Sequence, residues 1–102
     1  MRILAIGDII GKPGRDAVKA LLPEIKESCR PDLVFANGEN TAGGIGITSA
    51  TAEELFSLGL DVITTGNHVW AQKEILGYLN GPKAIIRPLN YPPGTPGRGF
   101  VL

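Results

Sequence analysis

The sequence predicts an α/β domain built on a mainly parallel sheet with flanking helices. Short aliphatic runs alternate with segments of helical periodicity, the pattern of strand–helix–strand units. The runs are apolar at consecutive residues rather than at every second one, as strands enclosed on both faces are. Fourteen glycines and 8 prolines stand between them as punctuation, without a repeat period or low complexity. At 102 residues, with 43% hydrophobic and 20% charged residues, residues 1–102 read as one small packed domain rather than a disordered chain.

The elements follow in order. Arg2 to Ile6, within a strand expected over 2–7, is an aliphatic run that ends in Gly7-Asp8. Pro13 suits the opening of the next helix, where a missing N–H costs nothing. Ala17, Val18, Leu21, Leu22 and Ile25 then recur at helical spacing, and Pro23 is expected to kink that helix or end it early. Leu33 to Ala36 forms the second strand, and the glycine-rich segment from Asn37 to Thr48 a long loop. Ser49 or Thr51 is the expected cap of a second helix, with Glu53 and Glu54 in its first turn and Gly59 closing it. Asp61 to Thr65 is β-branched and reads as the third strand. A third helix is expected over Ala71 to Leu79 and a fourth strand over Lys83 to Ile86. The remainder is turn chemistry ending in Gly99-Phe100-Val101-Leu102, which reads as the start of a strand and hence as a truncated domain.

Composition narrows the function classes. Ten basic and ten acidic residues cancel to a net charge of zero, so no global field draws the chain to nucleic acid or to an anionic membrane. The run Ile3 to Ile6 falls far short of the ~20 apolar residues of a membrane span and lacks the features of a signal peptide. The single cysteine, Cys29, allows no internal disulfide and no thiolate cluster. These features predict a cytoplasmic protein without membrane partners. Trp70 and Tyr91 read as packing residues, among only six aromatics.

Polar chemistry gathers where the first three strands end: Asp8, then Asn37-Gly38-Glu39-Asn40, then Gly66-Asn67-His68. Ligands of open parallel sheets bind at that edge, and neighbouring strands lie only about 5 Å apart. Asp8, Glu39, Asn40, Asn67 and His68 are therefore expected to converge from distant sequence positions. Carboxylate and amide oxygens are hard donors for Mn²⁺, Fe²⁺ or Mg²⁺, imidazole suits first-row transition metals, and a central carboxylate can bridge two cations. Taken singly, each residue has a plain structural alternative. Asp8 serves equally as a turn former, Asn-Gly-Glu-Asn as an Asx-turn with a solvated Glu39, and His68 as a structural histidine. The joint pattern at three successive strand ends favours the site. Other glycine motifs do not compete, since Gly7 to Lys12 lacks the spacing of a phosphate loop and Gly43-Gly44-Ile45-Gly46 that of a dinucleotide fingerprint.

Four segments, G-D-I-I-G-K-P-G-R from Gly7, N-G-E-N-T-A-G-G-I-G-I-T from Asn37, T-G-N-H-V-W from Thr65 and R-P-L-N-Y-P-P-G-T-P-G-R-G-F from Arg87, resemble the YmdB-type metallophosphoesterases of the calcineurin-like superfamily. The resemblance runs through the whole chain. It implies the N-terminal half of an α/β/β/α sandwich and a dinuclear Fe or Mn phosphodiesterase able to hydrolyse 2′,3′-cyclic nucleotides. On that pattern Asp8 and Asn40 bind one metal, Asn67 binds the other, Glu39 bridges both, and His68 gives a proton to the leaving oxygen. Most of the superfamily places a histidine two residues after the first aspartate. Ile10 stands there, and Asn40 takes over. The family draws further histidine ligands from a second half that this sequence does not contain. Two other readings follow from that: a nucleotide- or phosphate-binding module without turnover, and a half-domain that assembles with itself or another chain.

Overall fold

A computed structural model describes all 102 residues. The chain runs β1 (Ile3–Asp8), α1 (Gly11–Cys29), β2 (Leu33–Asn37), α2 (Ser49–Leu58), β3 (Val62–Thr64), α3 (Ile75–Leu79) and β4 (Ile85–Ile86). The strands form one sheet in the order β1-β2-β3-β4, every pair parallel, as the alternation predicts. Side-chain carboxylates pin the amino ends of the ladder: Asp32 accepts the Arg2 N–H at 2.6 Å, and Asp61 the Val34 N–H at 2.8 Å.

Sequential order with right-handed crossovers places successive helices on one face of the sheet. The burial pattern agrees. Val34, Ala36, Ile63 and Ile85 are buried in one core with Val18 and Leu22 of α1, Ala52 and Leu55 of α2, and Ile75 and Leu79 of α3. Their strand neighbours Leu33, Phe35, Val62 and Ile86 are only half-buried, and Ile3 is 54% exposed. The sheet is thus covered on one face and open on the other, so helices and sheet form two layers. The open row continues into Asn37, which shares its parity with Leu33 and Phe35. Trp70 and Tyr91 pack on the core with ring centroids 5.1 Å apart, as packing residues do.

Several boundaries differ from the sequence expectation. Helix α1 begins at Gly11, not Pro13, and Pro23 neither ends it nor shortens it. The carbonyl that Pro23 leaves without a donor belongs to Lys19, one turn earlier on the exposed side of the helix, where it is open to solvent. Thr48 caps α2, and Thr51 returns the bond in a reciprocal capping box. Glu53 and Glu54 lie beyond the first turn and pair instead with Lys83 at 3.5 Å and Arg15 at 2.8 Å. Gly59 closes the helix as expected.

The third helix starts at Ile75 rather than Ala71. Residues 71–74 are drawn into turns by tertiary bonds: Gln72 donates to the Ile45 carbonyl, and Glu74 accepts the Ser49 N–H at 2.9 Å. Gly99 to Leu102 forms no strand. No helix is long and apolar enough to cross a membrane.

Candidate functional site

The carboxyl ends of β1, β2 and β3 lie side by side because the strands pair in register. Asp8, the last residue of β1, pairs with Asn37, the last of β2, which pairs with Thr64 of β3. A register shift between Ile6 and Asp8 turns the end of β1. Backbone bonds then fix the loops: Ile9 N–H to Asn37 O at 3.0 Å, Gly11 N–H to Asn40 O at 2.9 Å, and Gly38 N–H to Thr64 O at 2.9 Å.

Four of the five expected residues join one hydrogen-bonded chain. Asn40 Nδ2 donates to Asp8 Oδ2 at 2.8 Å, and Asn40 Oδ1 meets His68 Nδ1 at 2.6 Å. The His68 backbone N–H in turn donates to Glu39 Oε2 at 2.8 Å. Asn67 lies in the same turn as His68, is exposed, and takes no part in these bonds.

Glu39 is the centre of the arrangement. Only 9% of it is exposed, yet none of the three ion pairs in the structure involves it or Asp8. Its two carboxylate oxygens accept one N–H each, from the Asn37 side chain at 3.1 Å and from His68 at 2.8 Å. Gly66 lies against it, so that a Cβ there would sit 2.5 Å from Glu39 Oε1. Gly38 is equally confined from the core side, its hypothetical Cβ 2.7 Å from Ile63 Cγ2. These two glycines are needed because carboxylate and core approach the backbone closely.

The donor set suits divalent cations. Buried charges are normally paired or bound to a metal, and Glu39 has two neutral donors but no cation. Each of its oxygens retains acceptor capacity beyond the bond it already accepts. No three His, Cys, Asp or Glu side chains gather as a metal-binding group, and two of the expected ligands are asparagine amides. Asn40 turns its nitrogen to Asp8 here, so holding a cation between the two requires the amide to be turned over.

The sequence does not single out three residues that shape this site. Asn37 forms the expected Asx-turn, its Oδ1 accepting the Glu39 N–H at 2.9 Å, but the turn encloses Glu39 rather than leaving it solvated. Gly66 makes room for the carboxylate. Arg15 reaches from α1 to the carbonyl of fully buried Thr41 and pairs with Glu54 of α2, tying the 37–48 loop to both helices. The glycine next to Asn67-His68 is a visible signal for the second; nothing in the local sequence marks the third.

Fold and site together define a parallel α/β protein with a hydrogen-bonded cluster of carboxylate, amide and imidazole side chains at the carboxyl edge of its sheet. The chain belongs to the YmdB-like protein family, whose model matches residues 4–102. It is 46% identical over 101 residues to the 2′,3′-cyclic-nucleotide 2′-phosphodiesterase of Bacillus subtilis (strain 168), covering 99% of this chain and 38% of that protein. A hypothetical protein from Thermus thermophilus superposes with a TM-score of 0.92 at 48% identity, covering 99% of this chain and 39% of the other. A novel phosphatase from Mycoplasma pneumoniae superposes with a TM-score of 0.89 at 36% identity, covering 97% and 37%. The chain therefore spans about two-fifths of the length of these relatives.

Proposed function

We propose that this chain carries the metal-binding edge of a phosphodiester hydrolase, with 2′,3′-cyclic nucleotides as the substrate class. The observation that carries the reading is the buried Glu39 carboxylate, held by two neutral N–H donors and left without a cationic partner. Asp8 and Asn40 would hold one divalent cation and Asn67 the other, with Glu39 as the carboxylate shared between them. Fe or Mn suits this mixture of carboxylate and amide oxygens. Bound there, the pair would supply Lewis-acid stabilisation of phosphoryl oxygens and a water nucleophile at neutral pH.

The chain's own residues do the rest. Glu39 would separate and screen two like charges that otherwise repel. His68 stands next to Asn67 and holds a proton for the departing oxygen, a role that contributes ~10²–10⁴-fold in rate. Its backbone N–H, bonded to Glu39, ties the position of the proton donor to that of the bridge. The free, exposed Cys29 suits a reducing compartment, and we place the protein in the cytoplasm.

One observation favours a second reading. The sheet is open on one face, and the chain spans 38% of the length of the Bacillus subtilis relative. On this reading the chain binds phosphate or nucleotide without turnover. Amide NMR with 2′,3′-cyclic AMP, with and without Mg²⁺, separates the two. Metal-dependent shifts at Gly66, Asn67 and His68 with product formation support the hydrolase, and the same shifts without product support the binding module. Nucleotide binding that ignores the metal overturns the hydrolase reading, and the absence of any nucleotide-dependent shift overturns both.

A further inference from the structure

We infer that Asn37 is a positioning residue that aims the Glu39 carboxylate, an inference that rests on the metal-bridging role proposed above. Asn37 ends β2 and belongs to the open-face row of the sheet, where neither core packing nor the ladder requires an amide. Both hydrogen bonds of its side chain nevertheless go to Glu39. Oδ1 accepts the Glu39 N–H at 2.9 Å, which fixes the orientation of the amide, because an N–H requires an acceptor. Nδ2 must then face the carboxylate, and it donates to Oε1 at 3.1 Å.

The His68 N–H holds the other oxygen, so the carboxylate is gripped from both ends, with Gly66 against it. Its rotation is blocked while both oxygens keep acceptor capacity for cations. The Asn37 carbonyl also accepts the Ile9 N–H at 3.0 Å, directly after Asp8. The backbone of the same residue therefore anchors the loop that follows Asp8.

A turn-forming role alone would need only Oδ1, and two substitutions separate the roles. Asn37→Asp keeps the acceptor for the Glu39 N–H but faces Oε1 with a second carboxylate oxygen. Asn37→Ser keeps a weaker turn acceptor, adds no charge and cannot reach Oε1. Mn²⁺ affinity of the 102-residue chain is measured by calorimetry for wild type, both variants and Glu39→Gln, with thermal melts as the control for folding.

The expected result is a loss of Mn²⁺ affinity of about 10–100-fold in both Asn37 variants, the usual effect of removing a partner that orients a ligand. At least Asn37→Asp should melt within a few degrees of wild type, and the His68 amide resonance should move in both. Wild-type affinity in a folded Asn37→Ser, or tighter binding in Asn37→Asp, overturns the inference while Glu39-dependent binding leaves the metal reading intact. Wild-type protein that binds no Mn²⁺, or binds it equally in Glu39→Gln, overturns the metal reading and this inference with it.

Discussion

His68 Nδ1 lies 2.6 Å from Asn40 Oδ1, an amide oxygen that can only accept, so the imidazole carries a proton on Nδ1. The same amide donates its nitrogen to Asp8, a carboxylate that can only accept, and neither end of Asn40 can be exchanged without breaking both bonds. Turning the amide over to place its oxygen beside a cation at Asp8 would present His68 Nδ1 with a donor instead. The neutral ring would then carry its proton on Nε2.

Nitrogen NMR of His68 reads this directly. Above the pH at which the ring is protonated, the metal-free protein should show the Nδ1–H tautomer, and saturation with Mg²⁺ should convert it to Nε2–H. An Nε2–H ring in the metal-free protein would contradict the hydrogen-bond assignment.

Gly38→Ala and Gly66→Ala should fail in different ways. The methyl at position 38 meets Ile63 in the core, a case of overpacking that costs ~1–3 kcal/mol, and should lower the melting temperature. The methyl at position 66 meets the Glu39 carboxylate first and should displace it, weakening metal binding about 10–100-fold with a smaller change in melting temperature. Melts and metal titrations of the two variants would show the contrast, and equal behaviour would remove Gly66 from the site.

Arg15→Met should loosen the loop that carries Glu39 and Asn40. It leaves the fully buried Thr41 without the Arg15 donor on its carbonyl, a loss of about 1–3 kcal/mol. Urea unfolding measures the loss, and amide exchange should quicken first at Asn40 and Thr41. Unchanged exchange there would mean that the arginine only decorates α1.

Hydrogen bonds from the Ser49 hydroxyl and the Ser49 N–H hold the Glu74 carboxyl below its ordinary value. A folded-state pKa below the unfolded one gives stability that is present above the unfolded value and is lost as pH falls through the folded one. Lowering the pH from about 6 toward about 3, across the ordinary carboxylate range, should therefore depress the wild-type melting temperature more than that of Glu74→Gln. Parallel curves for the two proteins would show that the contact carries no linkage.

The four parallel strands and the convergence of Asp8, Glu39, Asn40 and His68 are legible in the sequence, because aliphatic runs mark the strands and the first three lead into Gly-polar pairs. The burial of Glu39 is not legible. It depends on Asn37, Gly66 and the His68 N–H meeting across strands, and the residues alone fit a solvated Asx-turn equally well. The start of α3 is hidden for a similar reason, since Gln72 and Glu74 are held by the 45–49 segment rather than by helical propensity. Pro23 misleads because its effect depends on whether Lys19 faces water. Asn67 lies in the expected turn, but its exposed side chain acquires a role only through the metal proposed for it.

The claim on which the account turns is that Glu39 joins two cations, and Mn²⁺ electron paramagnetic resonance of the loaded chain tests it most directly. Ions ~3.5–4 Å apart across one carboxylate couple magnetically, so wild type should give an exchange-coupled signal. Glu39→Ala should give isolated Mn²⁺ or none. A coupled signal that survives in Glu39→Ala, or a wild-type spectrum containing only isolated ions, would contradict the account.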